Sequence, residues 1–434
     1  MAIKERPINA DLPPAAGGRS PAKPEGPRLP ERPRADRRRR KSVPGALKAV
    51  AGLFVLAVTF ILAAILGGGG EPATEAPSAP AEAAAVQTPD ELGYPSFATA
   101  NTTRVGGDDA ASTAAGVALA TFPSTRPSQR PAAITIVDSG DWQTAIAASV
   151  LMAAPVGAPL LVSAADGMPD ATAEALSALD PKGNPATGGA QVFAIGGADT
   201  PDDLRTHRVG AGGIVGAVAI AALRERLTGS PPRHFVVASS VEPGFAMPAA
   251  AWAARSGDPV LFTGPGRLAE QTAAVLKAHS RVPVFVLGPS SVVSSDVVRE
   301  IAALDPQVRR VSGEDPVTNA IELARYRDGS FGWNVNDPGH GFVIANPEEP
   351  LDGAAAAPLS ASGTWGPLLL TDSADTLPAA LRGYLLDVKP GYTTDPTRAF
   401  YNHVWVIGDQ EAISVSEQAE IDELAALAKI GGGG

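Results

Sequence analysis

Short apolar runs alternate along the chain with longer stretches in which apolar residues return at helical spacing. "AITIVDSG" from Ala133, "HFVVASS" from His234 and "GFVIANP" from Gly341 are rich in branched residues and show little polar alternation. A strand with one wet face alternates, so these runs predict strands of a sheet covered by helices on both faces. The stretches that follow, "TAIAASVLMAA" (144–154), "MPAAAWAARSG" (247–257) and "LDGAAAAPLSASG" (351–363), predict the covering helices. Strand then helix, repeated, indicates parallel pairing through right-handed crossovers.

Three further markers recur in the same order. Glycine-ended strands begin at Val192 ("VFAIGG"), Val284 ("VFVLGP") and Val404 ("VWVIGD"). Proline-started strands begin at Pro159 ("PLLVSA"), Pro259 ("PVLFTG") and Pro367 ("PLLLTD"). Arg-Val segments begin at Arg104 ("RVGGDD"), Arg208 ("RVGAGG") and Arg310 ("RVSGED"). The body therefore reads as three tandem α/β repeats, over 99–205, 206–307 and 308–430. The segment "LDVKPGYTTDPTRAFYN" (386–402) reads as a surface insertion in the last.

Ahead of the repeats the pattern changes. Residues 1–46 are proline- and charge-rich without periodicity, which predicts a disordered basic tail. "RRRRK" then precedes an uncharged run from Ala49 to Leu66, so 47–66 is expected to be one transmembrane helix. Basic residues before it and acidic ones after it place the tail in the cytoplasm and the repeats outside, in a single-pass, signal-anchor arrangement with the lipid bilayer as a partner. Residues 67–98 form a Gly/Pro/Ala-rich linker. Residues 1–48 carry 13 Lys/Arg against 5 Asp/Glu, a net +8, which leaves −19 on the rest of a chain whose total is −11. Nucleic acid is therefore no partner for the body.

The candidate chemistry is sparse. The chain has no cysteine, which removes thiolate catalysis and cysteine-ligated metals. "GPSSVV" after the strand at Val284 lacks the Gly-Lys-Ser/Thr of a phosphate loop, the G-x-G-x-x-G of a dinucleotide turn and the G-x-S-x-G of a nucleophile elbow. It reads as a turn with capping serines. The five histidines are scattered without metal-ligand spacing, so neither metal nor cofactor is expected. Asp138, Asp141 and Asp352 follow strands, where an open α/β sheet presents its ligands. They read either as polar caps or as acids able to work on a glycan.

These markers resemble the cell wall-binding repeat 2 family, over residues 101–430. "VFAIGG", "PLLLTDSADTLP" and "VWVIGDQEAISVSEQAEID" carry the likeness. The family's Asp-Ala-Leu at a helix start reads Thr144-Ala145-Ile146, Phe245-Ala246-Met247 and Asp352-Gly353-Ala354, so the third copy alone keeps the acid. The second glycine of its turn stands as Gly197, Pro289 and Asp409. The resemblance implies Rossmann-like units in a threefold arrangement and non-catalytic binding of an anionic cell-wall polymer in a Gram-positive envelope. Arg104, Arg208 and Arg310, with Asp352, are then the polymer-binding candidates, or else the residues that lock one repeat to the next. The leading expectation is a membrane-anchored, extracytoplasmic protein that binds wall polymer or links wall and membrane. A protein-interaction module without polymer affinity and a wall glycan or peptide hydrolase are the alternatives.

Overall fold

The computed structural model of the protein describes residues 97–431 apart from Thr364. Its strands are β1 (Phe97–Ala98), β2 (Thr102–Val105), β3 (Ile134–Asp138), β4 (Leu160–Ser163), β5 (Val192–Ile195), β6 (Thr206–Val209), β7 (Phe235–Ser239), β8 (Val260–Thr263), β9 (Val284–Leu287), β10 (Val308–Val311), β11 (Gly341–Ala345), β12 (Leu368–Leu370), β13 (Gly391–Tyr392), β14 (His403–Ile407) and β15 (Ala428–Lys429). Three sheets share one strand order. They run β4-β3-β5-β6, β8-β7-β9-β10 and β12-β11-β14-β2, and every pairing among these strands is parallel. β1 adds an antiparallel edge to the third, and β13 and β15 form a separate pair. The first strands β3, β7 and β11 are almost wholly buried, as their unbroken apolar runs require.

The sheets cut across the sequence repeats. Each Arg-Val strand completes the sheet of the copy before it: β6 pairs with β5 and β10 with β9. β2 has no earlier copy, and it pairs with β14 some three hundred residues later. That pairing closes the arrangement. The turns at this seam approach closely: Gly106 sits at φ +149°, and a Cβ there would lie 2.6 Å from the backbone nitrogen of Gly408.

The helices are α1 (Ala110–Thr121), α2 (Trp142–Ala148), α3 (Asp170–Leu179), α4 (Gly213–Thr228), α5 (Pro243–Ser256), α6 (Glu270–Ala278), α7 (Ser295–Ala302), α8 (Pro316–Arg325), α9 (Pro350–Ala355), α10 (Ala357–Ala361), α11 (Ala379–Asp387) and α12 (Val415–Ala425). α2, α5 and α9, each following a first strand, pack against one another at the centre. Alanine makes this possible. Ala145, Ala249, Ala250, Ala253, Ala354 and Ala355 are buried there, and side chains that small let three helices meet; a larger one would overpack the centre at a cost of about 1–3 kcal/mol. Between β5 and β6, where the other two sheets have α7 and α12, the first has only the irregular segment 196–205.

One expectation is corrected. Among the described residues no helix is long and apolar enough to cross a membrane. α4 is the longest at 16 residues, roughly 24 Å at 1.5 Å per residue, short of a bilayer core, and it carries Arg224, Glu225 and Arg226. The run at 47–66 lies outside the described residues. Among the described residues nothing supports the transmembrane helix expected to open the fold, and the fold class is corrected to the α/β repeats alone. The membrane-anchored function, the link between wall and membrane, the signal-anchor, the lipid bilayer as partner and the single-pass membrane localisation rested on that helix and are withdrawn with it.

Candidate functional site

In each sheet the chain steps from the first strand to one neighbour and then crosses to the other. This leaves a crevice at the strands' carboxyl ends between β3 and β5, β7 and β9, and β11 and β14, where open α/β sheets bind ligands. The end of β3, the turn after it and the first turn of α9 hold the acids singled out in the sequence.

In the first crevice both acids serve the backbone. Asp138 Oδ1 accepts from the Gly140 amide at 2.9 Å. Asp141 Oδ1 caps α2 by accepting from the Thr144 amide at 3.1 Å, and its Oδ2 accepts from the Gly213 amide at 2.7 Å, at the start of α4. One carboxylate thus satisfies amides at two helix N-termini, where its charge also favours the dipoles.

The third crevice is different. Asp352 lies in the first turn of α9, only 6% exposed. Thr113 in α1 donates to its Oδ2 at 3.3 Å, while Oδ1 has no hydrogen-bond partner. Burial above all, then the charge of Glu349 and more weakly those of Asp409 and Asp109, pushes the carboxyl up to about 7, against the opposing pull of the Thr113 bond. The equivalent corners need no acid. Gly216 makes room for the Thr144 methyl in the first. In the second, Asn319 donates to the Phe245 carbonyl at 3.3 Å and accepts from the Gly313 amide at 3.2 Å. Asp352 is thus a carboxyl that holds its proton near neutrality, and among the described residues no cluster of three or more His, Asp or Glu side chains is arranged to hold a metal ion.

Arg104, Arg208 and Arg310 do not converge with it. Arg104 is buried and donates to the carbonyls of Gly408 at 2.9 Å, Asp409 at 2.5 Å and Ile413 at 2.6 Å, and to Gln418 Oε1 at 3.0 Å. Burial lowers its pKa to about 10, opposed by Asp409 and Glu417, which leaves it charged at neutral pH. Arg310, half-buried, repeats the pattern on the carbonyls of Gly288 at 2.5 Å and Val293 at 2.7 Å. Arg208 is exposed and donates to the Thr200 hydroxyl at 2.6 Å. Each arginine therefore holds the glycine turn of the neighbouring strand, and the shorter turn of the first sheet offers Arg208 a hydroxyl where the others present carbonyls.

Two arrangements escaped the sequence reading. Glu417 in α12 is buried, accepts from the Thr371 hydroxyl at 2.5 Å and leaves Oε2 without a partner. Burial is the main cause that raises its pKa to about 7. His234, read from the sequence as a lone histidine, bridges Asp258 and Ser330: its Nδ1 lies 2.9 Å from Asp258 Oδ2, and its Nε2 lies 3.3 Å from Ser330 Oγ. Trp252 Nε1 donates to the same Asp258 oxygen at 3.0 Å. The order of groups is that of a serine relay. Its position argues for structure instead. His234 and Ser330 precede β7 and β11, at the amino ends of the sheets, and the imidazole is packed edge-on against Phe285 and Phe331. No signal in the sequence joins His234 to residues 24 and 96 positions away.

Parallel sheets in a repeated Rossmann-like order, closed by the pairing of β2 with β14, define the class of fold. Among solved structures the chain is similar to Cwp6 from Clostridium difficile, with a TM-score of 0.59 and 19% identity, covering 75% of this chain and 47% of that one. It is also similar to Cwp8 from Clostridium difficile, with a TM-score of 0.55 and 19% identity, covering 75% of this chain and 52% of that one. The chain spans about half the length of either, and the likeness is one of fold. No protein-family model matches the chain, and no curated protein matches it.

Proposed function

We propose that residues 97–431 form a non-catalytic, cell-wall-associated module that works outside the cytoplasm. The observation that carries this reading is the closed set of three like-ordered parallel sheets, the fold shared with Cwp6 and Cwp8, built from the markers that resemble cell wall-binding repeats. An anionic wall polymer is the partner this reading favours. Arg104 and Arg310 act in it as braces of the glycine turns, and of the three matched arginines Arg208 alone offers an exposed guanidinium. The local employment of Asp138 on the amide of the following turn, and of Asp141 on the amides of two helix starts, supports a non-enzymatic role.

A second reading, an envelope protein as the partner, is favoured by the insertion over 386–402, where Leu386, Phe400 and Tyr401 are 50%, 71% and 54% exposed. Co-sedimentation of the full chain with purified Gram-positive walls separates the two. Salt-sensitive retention that is lost when the anionic polymers are removed supports polymer binding. Absence of retention even at low salt refutes it and leaves the protein partner.

A further inference from the structure

The first sheet has an open seat that the chain itself fills in the second. In the β5–β6 ladder Phe193 lies opposite His207, as Phe285 lies opposite Arg309 between β9 and β10. After α8 the chain makes a long connection, residues 326–340, before β11. From it Phe331 stacks flat on Phe285, with centroids 3.6 Å apart and planes 2° from parallel. Asp328 of the same loop faces Arg309 at 3.4 Å. The chain thus covers that seat with an apolar ring and a carboxylate.

After α4 the connection to β7 is only residues 229–234, too short to fold back over β5 and β6. What remains is a groove of about 610 Å³ between the start of β6 and the end of α4, within the usual range of ligand sites. Phe193 and Leu223 form its buried floor, His207 stands exposed edge-on to Phe193, and Leu227 lines the wall. Arg205 and Arg226 reach its rim, both exposed. Arg205 Nε donates to the Gly189 carbonyl at 2.9 Å. No acidic residue lines the groove, although the chain beyond residue 48 carries a net −19. A local cationic patch on an acidic body selects for anions at short range.

We infer that this groove on the first sheet binds the anionic wall polymer: sugar or polyol units lie over His207 and Leu227, and Arg205 and Arg226 pair with the repeating phosphates or carboxylates. Guanidinium on oxyanion is the pairing best suited to both charges. The inference rests on the wall-associated reading above and names the surface that reading lacks.

The test uses the full chain, with retention on purified walls titrated to give an apparent Kd. Arg226→Glu, at an exposed position, is expected to raise that Kd at least about tenfold, and Arg205→Ala to act in the same direction. Arg299→Ala, at an exposed position of α7, serves as the control and leaves it unchanged. Thermal melts establish that each variant is folded. Walls stripped of phosphodiester-linked polymers separate the anion sources. Loss of retention on stripped walls identifies phosphate, and retention that soluble polygalacturonate displaces identifies carboxylate. Equal retention of wild type, Arg226→Glu and Arg205→Ala overturns the groove while the wall-associated reading stands. Displacement by a peptide of residues 326–333 but by neither poly(glycerol phosphate) nor polygalacturonate overturns it in favour of an acidic, aromatic protein segment. No retention of wild type refutes both proposals.

Discussion

Replacing Asp352 by asparagine should flatten the dependence of stability on pH. Its folded-state pKa is raised from 3.8 to about 7, so between these values the folded chain keeps a proton that the unfolded chain releases. The stabilisation is therefore fully present below the unfolded pKa and is lost as pH rises through the folded one, with no further change above it. About three units at roughly 1.4 kcal/mol each bound the effect at about 4 kcal/mol, spread from about pH 4 to about pH 7. Glu417, raised from 4.5 to about 7, acts with the same sign. Wild type should thus lose close to two protons' worth of slope in mid-window, and Asp352→Asn close to one, a difference of roughly 1.4 kcal/mol per pH unit. Asparagine matches the carboxyl in shape but brings an amide into a site where Oδ1 has no partner. That penalty, about 1–3 kcal/mol, does not vary with pH, so the slope and not the height is the readout. Urea unfolding followed by circular dichroism across that window measures it. Identical slopes for variant and wild type would refute the assignment of a buried, protonated carboxyl at this corner.

Two further outcomes follow from the same hydrogen-bond geometry. Arg104→Ala removes the donor from three carbonyls and Gln418 and should cost about 3–5 kcal/mol, whereas exposed Arg208→Ala should stay within about 0.5 kcal/mol; similar losses in urea melts would contradict the distinction drawn between the two arginines. Asp258→Ala, which strands His234 and Trp252, should cost about 2–4 kcal/mol, while a serine-directed phosphonate probe should leave Ser330 unmodified. Labelling of wild type that disappears in Ser330→Ala would show that the relay is chemically active.

The alternation of apolar strand and amphipathic helix was legible because burial on both faces imposes a local composition. "FVVAS" can hardly be an exposed strand, and alanine at the helix positions of "MPAAAWAA" leaves room for another helix. The candidate site was legible only in part. Asp352 was recognisable from its motif position, but its protonation depends first on burial, then on Glu349 three residues before it, and on Thr113 and Asp409, which lie far away in the chain. Glu417 sits in a stretch, "SVSEQAEID", where no local pattern distinguishes one acid from another; burial against Thr371 sets it apart from its neighbours. The arginines were found by their spacing, yet spacing could not distinguish a guanidinium offered to a polymer from one turned onto carbonyls.

By itself the sequence determined the first, proline-started and glycine-ended strands, the helices after the first strands, the threefold recurrence and the parallel sense of the sheets, since these follow from short-range periodicity and from the crossover that consecutive parallel strands need. Only the tertiary structure decided that each Arg-Val strand belongs to the preceding sheet and that β2 closes the third across some three hundred residues. The groove beside His207 was decided there as well. It exists because residues 229–234 are too few to reach back over the first sheet, while residues 326–340 suffice to cover the second. The physical reason is common to all of these: burial, charge and open space depend on which distant segments meet, and no local pattern encodes that meeting.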